Sequence, residues 1–213
     1  MGGLDLAEKA EKDKAAAVAR ERLLKPSKIA VRITVERLKD PKQAEQAVWT
    51  IWGLVSTWNP NWQRNQALFN AVRALGQGDV YAGLSDLLAK RSAAIRLKAL
   101  GALAQLPYYS QENKELAART PWLLERLVKL MRLEDPWSHD VQQLQMRACR
   151  VVAALCSTPA ANPDVCRALV QHPGLLHALV RVAGGGRGAA RHEAVRALFN
   201  LSYSPPSTHA LLQ

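Results

Sequence analysis

A chain of 213 residues in which 48% are hydrophobic and only 6% aromatic has enough apolar side chain for a continuous core. Alanine and leucine supply most of it, which favours helices over strands. The formal net charge of +11 splits into excesses of +3 over residues 1–40, +4 over 41–139 and +4 over 140–213, so no basic tail or Lys/Arg block grips phosphates.

Residues 1–39 read as a charged helical extension. The N-terminus lacks the apolar h-region of a secretory signal, and Asp5, Glu8, Glu11 and Asp13 argue against an acid-poor transit peptide. Leu6 stands where a myristoylation pattern needs Ser or Thr. Residues 4–24 form a charged helix that stops at Lys25-Pro26, because proline disfavours helical geometry in the residue before it. Residues 28–39 alternate like a strand through Ile29, Val31, Ile33 and Val35, yet a lone strand among helices would lack a pairing partner. A helix is expected there.

Asp40-Pro41 opens a helix over 42–57, with proline at a helix-start position. Helices follow over 62–76 and 79–90, then 92–107, which Pro107 halts. A short polar helix spans 110–119, an apolar one 121–133 and a long one 140–157. Asn162-Pro163 starts another short helix, and residues 173–183 form the next. Gly184-Gly185-Gly186-Arg187-Gly188 is read as a flexible connector into a helix over 189–203. It lacks the Lys-Ser/Thr of a phosphate loop and does not follow a strand. His209-Ala210-Leu211-Leu212-Gln213 after Pro205-Pro206 looks like a first helix whose companions are absent, so a fragment or a covering subunit is expected at this end.

One pattern recurs. Ala194, Ala197, Leu198 and Leu201 fall at i, i+3, i+4 and i+7, one buried stripe of a helix. Ala148, Val151, Val152 and Leu155 share those offsets, as do Ala99, Ala102, Leu103 and Leu106, and Ala47, Thr50, Ile51 and Leu54. The copies start 52, 49 and 46 residues apart, which signals a stacked repeat architecture.

Ala194…Ala197-Leu198-Phe199-Asn200-Leu201-Ser202 resembles the third helix of armadillo-repeat proteins, Ala-x-x-Ala-Leu-x-Asn-Leu-(Ala/Ser). Glu45-Gln46-Ala47-Val48-Trp49 looks like the start of such a helix. Asn162-Pro163-Asp164-Val165-Cys166 resembles a first helix, and Pro173-Gly174-Leu175-Leu176 a second. The resemblance covers residues 40–213 and implies an all-α fold, a right-handed superhelical solenoid of about three complete repeats with the last truncated. The repeats are longer than the family's usual length of about 42 residues.

In importin-like members, third helices line a concave groove where a Trp and an Asn four residues apart hold an extended peptide. The matching positions here are Trp49/Gly53, Gly101/Gln105, Arg150/Ala154 and Arg196/Asn200. No turn keeps the complete pair, which argues against binding of a nuclear-localisation peptide. The same face instead carries Lys98, Arg147, Arg150 and Arg196 with Gln105, Asn200, Tyr108 and Tyr203. A basic groove with amide and tyrosine donors suits an acidic, extended protein segment, since Arg binds a carboxylate through two parallel hydrogen bonds. Trp49, Trp52 and Trp58 are candidate docking aromatics if exposed; burial between helices is the plainer alternative.

The expectation is thus a non-enzymatic scaffold or adaptor that binds other proteins, with contact to RNA or DNA phosphates as the alternative. No nucleophile elbow, Ser/His/Asp order or paired-carboxylate site stands out, so no catalytic residue and no cofactor is expected. His172 and His177 are five apart with no neighbouring acidic or cysteine ligand, so no metal is expected either. Cys149, Cys156 and Cys166 show no CxxC spacing and read as small buried hydrophobes of a reducing compartment. No apolar run approaches the ~18 residues of a membrane span. A cytoplasmic location follows as the expectation, with the nucleus as alternative and secretion excluded.

Overall fold

The computed structural model describes residues 28–40, 42–55, 79–90, 92–135, 137–158 and 162–203. The helices expected over 4–24, 62–76 and 209–213 lie outside them. All regular elements among the described residues are helical, and no helix there is long and apolar enough to cross a membrane. In chain order they are α1 (Lys28–Lys39), α2 (Ala44–Val55), α3 (Val80–Leu88), α4 (Ala93–Gln105), a 3-10 turn (Leu106–Tyr109), α5 (Gln111–Arg119), α6 (Leu123–Met131), α7 (His139–Leu155), α8 (Pro163–Gln171), α9 (Leu175–Gly185) and α10 (Gly188–Ser202).

Local signals set the boundaries. Ser92, Ser110 and Ser138 each precede a helix and accept a hydrogen bond from the backbone N–H three residues on, which satisfies one donor orphaned at the helix start. Pro163 begins α8, where its missing N–H costs nothing. Pro107 does not stop the chain sharply; α4 tightens into the 3-10 turn that contains it. The glycine run differs from expectation. Gly184 and Gly185 belong to α9, and the Gly186 N–H still bonds the Val182 carbonyl at 2.8 Å, so the link to α10 shrinks to Gly186-Arg187.

The four recurring stripes lie on α2, α4, α7 and α10, and these pack side by side: α2 on α4, α4 on α7, α7 on α10. Ala47, Ala99, Ala148 and Ala194, which open the stripes, are all buried. Alanine at the contact lets two helix axes approach closely, so aliphatic side chains on either flank interlock. A companion row runs behind it, α1 on α3, α3 on α6, and α6 on α9. Here α1 finds what its alternating pattern lacked as a strand: Val35 and Leu38 are buried where it packs on α2 and α3.

Three buried polar side chains tie the helix ends together. Gln145 of α7 donates to the carbonyls of Met131 at 3.2 Å and Leu133 at 2.8 Å, capping the end of α6. Asn113 donates to the Leu106 carbonyl at 3.1 Å. The Lys114 ammonium reaches from α5 to the end of α7, donating to the Ser157 carbonyl and, at 2.8 Å, to Thr158 Oγ1. A cation at a helix C-terminus complements the partial negative charge of the free carbonyls.

Burial lowers the Lys114 pKa, and the neighbouring Cys156 and Cys166 oppose that shift only in part. The unfolded chain therefore binds more protons between the lowered value and the ordinary lysine value, so this residue's contribution improves as pH rises across that window. Lys114→Met should cost about 1–3 kcal/mol at neutral pH by removing the ammonium that bonds the Ser157 carbonyl and Thr158 Oγ1. In denaturant titrations the wild type should gain on this variant as pH rises toward the ordinary lysine value of about 10; a constant difference would remove the assignment.

Candidate functional site

With the stripes turned inward, the residues one before and two after each opening alanine share a register along one face of α2, α4, α7 and α10. The first position carries Gln46, Lys98, Arg147 and Glu193; the second carries Trp49, Gly101, Arg150 and Arg196. The structure sorts them into two clusters that share α7.

The first cluster is aromatic and cationic. Lys98 Nζ lies 3.9 Å from the centroid of the Trp49 ring and 5.3 Å from that of Trp52. The Arg147 guanidinium lies 5.5 Å from the Trp52 centroid and donates to the Leu97 carbonyl at 3.3 Å. Such cation–π contacts contribute about 0.5–1 kcal/mol each at exposed sites. Burial, and then the neighbouring Arg150 charge, lower the Arg147 pKa; an arginine remains charged nonetheless. Gly101 makes the arrangement feasible. A Cβ there would lie 2.4 Å from the Trp52 ring and 3.0 Å from Arg147 Nη1, so only glycine lets the indole rest on α4.

The second cluster is an ion triad. Glu193 is buried, and Arg150 grips its Oε1 from Nε at 2.8 Å and from Nη2 at 2.7 Å. Arg196 Nη2 approaches Oε2 at 2.7 Å, a charge contact rather than an aligned hydrogen bond. A carboxylate this buried requires partners, since stripping them away costs roughly 3–5 kcal/mol. Sequence reasoning passed over Glu193 although it immediately precedes Ala194, which opens the most regular stripe. Its signal was register: it occupies the position of Lys98 and Arg147 with the opposite charge, three residues before Arg196.

The remaining candidates are less concentrated. Asn200 directs its amide at the Ala153 carbonyl, 3.1 Å away, so that amide ties α10 to α7. Gln105 is half-buried at the end of α4, and Tyr108 is exposed on the 3-10 turn that follows. Tyr203 is exposed past the end of α10, edge-on to Phe199 with ring centroids 4.8 Å apart. Trp49 is partly exposed and Trp52 half-buried against the core, while Trp58 lies outside the described residues. Each of the four cations has an aromatic, carbonyl or carboxylate neighbour, because desolvated charge needs compensation.

The three cysteines are free and buried. Burial pushes the thiols of Cys149 and Cys156 up to about 12, leaving them protonated at neutral pH. Among the described residues no three His, Cys, Asp or Glu side chains converge to hold a metal ion.

No family model matches the chain, and no curated protein matches it. It is similar in fold to an engineered protein whose crystal structure comes from the Northeast Structural Genomics Consortium, at 21% identity and a TM-score of 0.63, covering 90% of this chain and 74% of that one. A second engineered protein from the same consortium aligns at 17% identity and a TM-score of 0.58, covering 92% of each chain. At these identities the likeness is one of fold alone.

Gly101→Ala should destabilise the protein by about 1–3 kcal/mol through overpacking against Trp52, reversing the roughly 1 kcal/mol that alanine normally gains over glycine inside a helix. Gly53→Ala, on α2 with open space where its Cβ would go, should stabilise instead. Thermal melts of the two variants check the contrast, and equal shifts would show that Gly101 has no packing role.

Proposed function

We propose that the chain is an armadillo-type solenoid whose open face holds an extended, acidic segment of another protein. The reading joins the third-helix pattern at Ala194–Ser202 to the three-part succession α5–α6–α7 and α8–α9–α10, with α1 and α2 closing an earlier repeat. On this reading the stack winds as a right-handed superhelix, and α2, α4, α7 and α10 line its concave side.

The observation that carries the function is the charge balance of that side. At the described positions one before and two after each opening alanine, the cations Lys98, Arg147, Arg150 and Arg196 outnumber the carboxylates, of which Glu193 is the one present. The surplus is positive, and it is held on rigid helices rather than loops. An extended ligand crossing the helices would find Tyr108 and Tyr203 at the rim and the Trp49 and Trp52 rings beneath Lys98. Its carboxylates would compete with Glu193 for Arg150 and Arg196. A solenoid suits this task because it offers a long preformed surface, so the ordering cost falls on the ligand alone.

Anisotropy titration of a fluorescent Asp/Glu-rich peptide tests this. Glu193→Gln, which releases Arg150 and Arg196 from their internal carboxylate, should tighten binding several-fold. Lys98→Glu should weaken it by about tenfold, or ~1.4 kcal/mol. If neither change moves the affinity, the open face is not the site. Retention of RNA that collapses with added salt would favour the nucleic-acid reading instead.

A further inference from the structure

The turns Thr120-Pro121-Trp122-Leu123 and His172-Pro173-Gly174-Leu175 are built alike but filled differently. Each leads into a helix of the companion row, α6 or α9, and each is closed by the leucine N–H on the carbonyl three residues back, at 3.3 and 3.2 Å. Proline second and a positive φ third is the type II pattern, which favours glycine at the third position. The later turn conforms, with Gly174 at φ 76°. The earlier one sets Trp122 there at φ 63° and leaves it 66% exposed. A bulky residue in the left-handed region is strained, and little burial offsets that strain here. Strain of this kind clusters at functional sites.

Trp122 lines a cleft of about 480 Å³ that lies within the described stack, between α3, α4 and α6. Leu88, Leu130 and Leu133 give it an apolar floor, and Arg96, Arg126 and Lys129 line it against one carboxylate, Glu125. The cations differ in commitment. Arg126 is tied to Asp86 and to Ser85, both at 2.8 Å. Lys129 has the register of Arg181, whose guanidinium donates to the Met131 carbonyl at 2.8 Å. Lys129 instead pairs at 2.6 Å with Glu125 of its own helix, with 72% of its side chain exposed. Such a pair contributes little in water and yields to a carboxylate delivered with its own cover.

We propose that this cleft is a second protein-binding site, which takes an aromatic side chain of a partner segment with a carboxylate beside it. The incoming ring lies over the three leucines and against the Trp122 indole, where offset or edge-on rings attract; the carboxylate pairs with Lys129. Trp122 and Lys129 are both largely exposed, so the cleft is too open to bury most of a free small molecule. A protein segment excludes water around its own anchor, and tryptophan and arginine are enriched at such anchors. The cleft belongs to the companion row, so the inference does not depend on the open groove of α2, α4, α7 and α10.

The test uses the full chain carrying Lys98→Glu, which suppresses acidic-peptide binding in the groove, and three labelled peptides. One has a phenylalanine flanked by glutamates, one has alanine in its place, and one has the phenylalanine flanked by lysines. The first should bind roughly tenfold tighter than the other two. Trp122→Gly should remove that advantage, Trp122→Phe should keep most of it, and Lys129→Glu should turn the preference toward the lysine-flanked peptide. Because Trp122→Gly installs the residue the turn favours, its melting temperature should stay within about 2–4 °C of the parent. A larger fall would make the indole a packing element and overturn the proposal. Equal binding of the three peptides, binding of none, or an advantage that survives Trp122→Gly overturns it too. So does a concentration-dependent doubling of mass that Trp122→Gly abolishes, which would assign the cleft to a second copy. The alanine peptide titrated against the chain with and without Lys98→Glu reports on the groove separately, so failure of one site is not mistaken for failure of the other.

Discussion

The stripe of small residues on each of α2, α4, α7 and α10 can be buried only against the next helix in the row. A lone helix of this size and composition is marginal in water, and most of its stability comes from packing its apolar face. Helix α7 shows the consequence: lying between α4 and α10, with α6 packed against it as well, it is buried from Leu144 to Cys156 except at Arg147 and Arg150. These two arginines emerge because both flanks are occupied and only the open face remains. The position of the candidate groove is therefore a by-product of stacking.

Stacking also sets the electrostatic problem on that face. Adjacent helices bring side chains of equivalent register close together, so like charges at one register would repel along the row. Lys98 and Arg147 are neighbours of this kind, and the Trp52 ring between them, resting on Gly101, separates their charges with a polarisable surface. One helix further, Arg150 and Arg196 are reconciled by a carboxylate. The two solutions differ in what they offer a ligand. The aromatic one leaves cation and ring available together, whereas the ionic one requires an incoming carboxylate to compete with Glu193.

Polar side chains supply the remaining order. Lys114, Gln145 and Asn113 act over gaps in sequence to satisfy carbonyls at the ends of helices. Because each such bond needs one helix to end at a fixed height beside another, they select one register of stacking. Alanine stripes by themselves tolerate sliding.

The sequence by itself determined the helices and their order. Helical periodicity and Asp-Pro or Asn-Pro punctuation are local signals, legible within a dozen residues, and they place α2 to α10 to within a few positions. It also determined that four segments carry one stripe and that Lys98, Arg147, Arg150 and Arg196 share a register relationship. Even the ambiguous 28–39 segment was decided by the absence of any strand to pair with. Which charges neutralise which depended on the tertiary structure, because Glu193 meets Arg150 across 43 residues and the Trp52 ring meets Gly101 across 49. Composition and spacing do not encode such distances. Nor did the local pattern distinguish Val195 from Val48, since both occupy the same register; one is buried and the other exposed only because a described helix follows the first and none follows the second.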